Sequence, residues 1–161
     1  MAIGDPLTSK SQLYGRDSTD LLARTLLGET ENDSASRVGV AWVVINRKND
    51  KIYEFKNQNS IEEVVLAPWA FSCFNEGDVN LAKCLRPNTS SQIWKNCVSV
   101  AQNVASLENP IGDKLFYTQV DVFNANTKTE NGKLLYKMSG KWVVITSKVL
   151  KGEHMFFNYQ H

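Results

Sequence analysis

The chain has 161 residues, of which 42% are hydrophobic and 22% charged, and its formal net charge is +1. That length makes one domain, with a core large enough to stand without disulfides or metals, and the composition excludes a disordered chain or a coiled coil. So even a charge balance gives no footprint for a strongly charged partner, and no nucleic acid is expected.

The N-terminus reads Met-Ala-Ile-Gly-Asp-Pro-Leu-Thr-Ser-Lys. It has neither the apolar stretch nor the cleavage site of a signal peptide. No apolar run reaches the roughly 20 residues that span a bilayer. The expectation is a soluble protein made in the cytoplasm with no membrane partner, although a secreted protein already trimmed of its leader would read the same. Residues 1–17 are polar and carry Gly4, Pro6 and Gly15; they read as an arm preceding a domain at 18–161.

Ser18 or Thr19 is placed to cap a first helix, with Asp20 in its first turn, where a negative charge suits the helix dipole. Leu21, Leu22, Leu26 and Leu27 keep a helical period up to Gly28-Glu29. Glu31-Asn32-Asp33-Ser34 breaks that pattern. Val38 to Ile45 is apolar except at Gly39, and Ala35 to Arg47 is too long for a strand, so a second, buried helix is expected. Ser60-Ile61-Glu62-Glu63 fits a capping box for a short helix that must end before Pro68.

Pro68 to Asn88 reads as irregular and carries Trp69, Phe71 and Phe74. Ser90 or Ser91 opens the clearest helix, in which Ile93, Trp94, Cys97, Val100, Ala101, Val104 and Ala105 form one stripe. Leu115 to Thr118 reads as a strand and Asn124 to Gly132 as a loop. Leu134–Met138 and Lys141–Ile145 flank Ser139-Gly140, a two-residue hairpin signal. The sum is a mainly helical α+β domain with a small β-hairpin element. Cys73, Cys84 and Cys97 are odd in number and fit neither a disulfide framework nor a zinc site; they read as free, partly buried thiols.

One polar residue sits out of place. On a wheel of about 100° per residue, Leu22, Leu26 and Glu29 share a face. A carboxyl group on an apolar stripe is costly to ionise, and its pKa rises. A carboxyl that stays protonated near neutrality is a general acid, which is what a glycosidic oxygen needs as its bond breaks. The other reading is a glutamate at a frayed helix end, pointing into water. Glu31, Asp33, Glu76 and Asp78 lie in polar loops and read as solvated charges. Trp69, Phe71 and Tyr117 suit either sugar stacking or core packing, and His154 either a ligand or a structural bond. No nucleotide loop, nucleophile elbow or metal motif is present, and neither cofactor nor metal is expected.

The run Leu21-Leu22-Ala23-Arg24-Thr25-Leu26-Leu27-Gly28-Glu29, followed by Val38 to Ile45 and Asn46-Arg47, resembles the SleB/CwlJ-type cell-wall hydrolases, which include the spore-cortex-lytic enzymes. Ser60-Ile61-Glu62-Glu63-Val64, Phe71-Ser72, Leu115-Phe116-Tyr117 and Gly152-Glu153-His154-Met155-Phe156 resemble further segments of that family, in order. The chain departs from the pattern at Thr30 and Ala70, where the family has Ala and Gln. It is also one residue shorter in the acidic turn, and Asp121 to Gly140 has no counterpart in the pattern.

The resemblance implies a lysozyme-like single domain that cuts peptidoglycan between N-acetylmuramic acid and N-acetylglucosamine. It makes Glu29 the catalytic residue. Tyr117, Ser72, Phe71, Trp69 and His154 are the expected substrate-binding residues. With no second carboxylate in an apolar context, a lytic transglycosylase is expected ahead of a hydrolytic muramidase. An amidase using zinc, or Cys73 or Cys97 with His154, is one alternative, and a non-catalytic glycan-binding virion module is another. A monomer is expected, acting on glycan strands as a phage endolysin, a virion lysin or a secreted enzyme.

Overall fold

The computed structural model describes residues 2–161. Among them lie six α-helices and five strands: α1 (Ser18–Thr30), α2 (Ser34–Asn49), α3 (Ile61–Val65), α4 (Leu81–Leu85), α5 (Gln92–Asn103), β1 (Phe116–Gln119), α6 (Val120–Ala125), β2 (Thr127–Glu130), β3 (Lys133–Met138), β4 (Lys141–Lys151) and β5 (His154–Tyr159). The α+β class expected from the sequence is what the chain adopts.

α1 runs through the middle of the helical part. Leu21, Leu22, Ala23 and Leu26 are fully buried, so the helix is packed nearly all round. Asp17, not Ser18 or Thr19, caps it, accepting from the Thr19 amide at 2.8 Å. Asp20 and Arg24 are buried with it. Asp20 accepts from Arg16 Nε and Arg24 Nε, both at 2.7 Å, and from the Gly4 amide at 2.7 Å. Arg24 in turn donates to the carbonyls of Cys84, Leu85 and Asp5. This ionic knot fixes residues 2–17 to the body, and Leu7 and Leu13 sink into the same core.

α2 is the long buried helix expected from its apolar run. A Cβ at Gly39 would lie 2.7 Å from the Phe156 ring, so glycine lets α2 press against β5. Ser60 caps α3 by accepting from the Glu63 amide, and the Glu63 carboxylate returns to the Ser60 hydroxyl at 3.4 Å. Ser91 caps α5, whose buried face carries Trp94, Cys97 and Ala101. Pro68 to Asn88 is less irregular than expected, because α4 forms within it.

The last third holds more structure than its sequence advertises. The sheet is antiparallel, in the order β1-β5-β4-β3-β2. The Ser139-Gly140 hairpin is present, but β4 runs on to Lys151, and the expected loop at Asn124 to Gly132 contains β2 and the end of α6. That segment is polar because β2 is an exposed edge strand. A second apolar cluster, with Phe116, Phe123, Tyr136 and Phe157 at its centre, fills the sheet's other side. No helix among the described residues is long and apolar enough to cross a membrane.

Candidate active site

Glu29 sits one residue from the end of α1, half-buried, in a cleft between the helices and β1. The Tyr117 hydroxyl donates to Glu29 Oε1 at 2.5 Å. Burial raises the Glu29 pKa above its ordinary 4.5, and the nearby charge of Asp78 adds to this. The Tyr117 hydrogen bond, the charge of His154 and the Cys73 thiol pull the other way without cancelling the rise. Tyr117, half-buried and facing the glutamate, has its own pKa pushed far up by loss of solvent and by the Glu29 charge, and keeps its proton. The frayed-end reading of Glu29 therefore does not hold.

Glycine brings Glu29 to this place. A Cβ at Gly28 would lie 2.6 Å from Cys84 Sγ and 2.7 Å from Cys73 Sγ. Only a bare backbone lets the end of α1 lie against those two sulfurs. All three cysteines are free and buried. Burial pushes Cys97 up to about 11, and the Cys84 thiol together with burial pushes Cys73 well up. Such thiols are not nucleophiles at neutral pH, and Cys73 is not among the residues lining the cleft, which removes the support for a Cys–His pair.

The cleft encloses about 350 Å³ and is lined by Glu29, Arg47, Trp69, Ser72, Tyr117 and His154, among others. A second hollow of about 250 Å³ adjoins it across Glu29, Asn80, Gln119 and His154. The carboxyl group thus stands in the middle of a continuous trough. Of the residues expected to touch substrate, Trp69, Ser72, Tyr117 and His154 line it. Phe71 does not. It is 1% exposed and packs beneath Tyr117 and Arg47, at 6.4 and 5.4 Å between centres. Trp69 is 83% exposed with φ +63°, a left-handed conformation costly for a bulky residue. It stands at the rim as an open aromatic face.

Asp33 is not the solvated charge its loop position suggests. It accepts from the Glu153 amide at 3.0 Å and contacts His154 Nδ1 at 2.8 Å. Burial alone would raise its pKa, but these hydrogen bonds and that of Ser36 hold it below 3.8. A carboxylate on Nδ1 fixes the proton there in the neutral imidazole and leaves Nε2 as the free acceptor. The Tyr117 and His154 rings meet edge to face at 5.3 Å. Glu31, by contrast, pairs with Lys83.

The Asn46-Arg47 pair anchors the strand that carries Tyr117. Asn46 donates to the carbonyls of Gly112 and Lys114, and Arg47 Nε donates to that of Leu115. Arg47 also stacks on Phe55, 4.4 Å from its centroid, and brings a buried cation to the cleft floor. Sequence reading did not single out Arg47, Asn80 or Gln119 as site residues; only Arg47 lay in a recognisable motif. Among the described residues no group of three His, Cys, Asp or Glu is arranged to hold a metal ion.

Residues 31–143 match the family described as Cell Wall Hydrolase. The matched stretch opens just past Glu29, so the place of that residue rests on the geometry above. The catalytic domain of the germination-specific lytic transglycosylase SleB from Bacillus anthracis has a similar fold, with a TM-score of 0.52 at 19% identity, over 90% of this chain and 98% of that one. The catalytic domain of the Bacillus cereus SleB protein gives 0.50 at 21% identity, over 90% and 94%. No curated protein sequence matches the chain.

Proposed function

The chain belongs to the Cell Wall Hydrolase family, whose substrate is peptidoglycan, and from that premise we propose that it is a lytic transglycosylase that cuts the β-1,4 bond between N-acetylmuramic acid and N-acetylglucosamine. The observation that carries this reading is Glu29 itself: a carboxyl group with a raised pKa, held by Tyr117 in the middle of a trough. Asp33 is committed to His154 and Glu31 to Lys83, so neither loop carboxylate is free to activate a water. The name of the Bacillus anthracis neighbour points the same way.

In this mechanism the protonated Glu29 donates to the glycosidic oxygen as the C1–O4 bond breaks, releasing the N-acetylglucosamine end as an alcohol. The Glu29 carboxylate then takes the proton of the muramic acid's own 6-hydroxyl as that oxygen bonds to C1. An anhydro ring closes, no water is consumed, and Glu29 ends protonated again. Tyr117, donating to Oε1, leaves Oε2 as the proton-bearing oxygen. Trp69 offers its exposed face to a sugar ring, and Ser72 and His154 Nε2 offer polar contacts. The protein acts on wall glycan as a monomer, released as a phage endolysin or virion lysin or secreted.

Digestion of purified peptidoglycan, read by liquid chromatography and mass spectrometry, tests this. The wild type is expected to release anhydromuropeptides and Glu29→Gln to release none at the same enzyme level. Reducing muramic ends would make the protein a muramidase. Free peptides would make it an amidase. A glycan-binding protein that yields no product would be a non-catalytic module.

A further inference from the structure

The near-neutral total charge conceals a strong separation. Residues 127–151 carry six lysines and one glutamate, a net +5, so the rest of the chain carries −4. This stretch is the antiparallel β2–β3–β4 ribbon, which includes most of the segment without a counterpart in the family's pattern.

Register places the charges. Lys128 pairs with Leu135 and Leu135 with Val144; Glu130 pairs with Lys133, and Lys137 with Trp142. Lys128, Lys133, Lys137 and Trp142 therefore share one face, while Tyr136 and Val143 turn to the apolar cluster on the other. On the shared face Lys128 Nζ lies 4.3 Å from the Trp142 ring centre and 3.1 Å from Glu130. Trp142 is 43% exposed. An edge strand uses lysine to discourage pairing with other chains. That accounts for Lys128 on β2, but not for Lys133, Lys137 and Trp142 on the inner strands.

The face is remote from the chemistry. β4 meets His154 through Lys151 at one end, and Trp142 lies near the other, roughly 30 Å away at about 3.3 Å per residue. It holds Lys128, Lys133 and Lys137 with the single carboxylate of Glu130, a net +2, beside an indole, a set suited to grip and not to proton transfer. We infer that this face docks the enzyme on the insoluble wall by binding peptidoglycan strands away from the scissile bond. The lysines meet the carboxylates that end the stem peptides, and Trp142 stacks on a sugar ring. This rests on the peptidoglycan reading above. Charge complementarity favours it: the acidic remainder of the chain is repelled by the same carboxylates, so the ribbon approaches first.

The test is co-sedimentation of the full chain carrying E29Q with purified peptidoglycan stripped of other wall polymers, over rising salt. Binding is expected to weaken as salt rises. A variant with Lys133→Gln, Lys137→Gln and Trp142→Ala is expected to bind at least about tenfold more weakly at low salt. With Glu29 intact, that variant is expected to cut short soluble glycan fragments at the parental rate and insoluble wall more slowly. Equal sedimentation of variant and parent would overturn the inference. So would binding unchanged after amidation of the wall carboxylates, or a loss confined to anionic vesicles or DNA, which would name a partner of another class. Sedimentation needs no cutting, so a chain that binds through this face but releases no product would refute the proposed function and leave the docking surface standing.

Discussion

The Tyr117 hydroxyl donates to Glu29 Oε1 at 2.5 Å, joining the first helix to the first strand across 88 residues. The bond stabilises the charged form of Glu29 and so opposes the rise that burial imposes. A general acid works while protonated, and activity falls as pH climbs through its pKa. Tyr117→Phe removes the opposing bond, so the alkaline limb of kcat/KM should move to higher pH. The rate at the optimum should fall as well, since Oε2 is no longer held toward the leaving oxygen. A pH–rate profile on peptidoglycan checks this, and a limb that stays in place would sever Tyr117 from the ionisation of Glu29.

A second expectation concerns the knot beneath the site. Burial alone would raise the Asp20 pKa, but Arg24, Arg16 and the Gly4 amide hold it below its ordinary 3.8. A depressed folded-state pKa contributes stability above the unfolded value, and that stability is lost as pH falls through the folded one. Asp20→Asn removes the buried carboxylate that Arg16 and Arg24 share, leaves the fully buried Arg24 without that anion, and should cost about 3–5 kcal/mol near neutrality. Urea unfolding at pH 7 should show that gap, and at pH values below 3.8 the gap should narrow. A constant gap would mean that Asp20 acts through shape and not charge.

How much of this was legible beforehand follows from the range of the interactions. α5 and the Ser139-Gly140 hairpin were readable because their signals, a 3.6-residue stripe and a two-residue turn, are local. α4, α6 and β2 are only five, six and four residues long, too short to show a full period, and tertiary contacts such as the burial of Cys84, Leu85 and Phe123 stabilise the two helices, so no window of sequence marks them. Glu29 was visible as a carboxylate on an apolar stripe. Tyr117 was visible as an aromatic suited to sugar stacking, but not as the partner of Glu29, which stands 88 residues away. Asp33 looked like a surface charge because its partner His154 stands 121 residues away. The ribbon's +5 was hidden by a sum taken over the whole chain.

Gly28 offers a steric test of how the glutamate is placed. An alanine there meets Cys73 and Cys84 at less than van der Waals separation. Overpacking of this kind costs about 1–3 kcal/mol. Because the strain falls one residue before Glu29, kcat should drop further than the loss of stability accounts for. Adding Cys84→Ala makes room on one side and should restore part of both. Thermal melts and initial rates on the two variants and the wild type check this, and a G28A enzyme with wild-type kcat would show that the end of α1 tolerates displacement.

The last expectation separates the two glycosidase chemistries. Asp78 is close enough for its charge to raise the Glu29 pKa, yet it lines neither hollow beside Glu29. If it is only a neighbouring charge, Asp78→Asn lowers the Glu29 pKa. The alkaline limb then moves to lower pH, opposite to the shift expected of Tyr117→Phe, while anhydromuropeptides remain the product. If Asp78 instead activates a water, the same variant loses roughly 10²–10⁴-fold of its activity at every pH, and the wild-type products carry reducing ends. Two profiles and one chromatogram decide it, because the first case moves a limb and the second removes the rate.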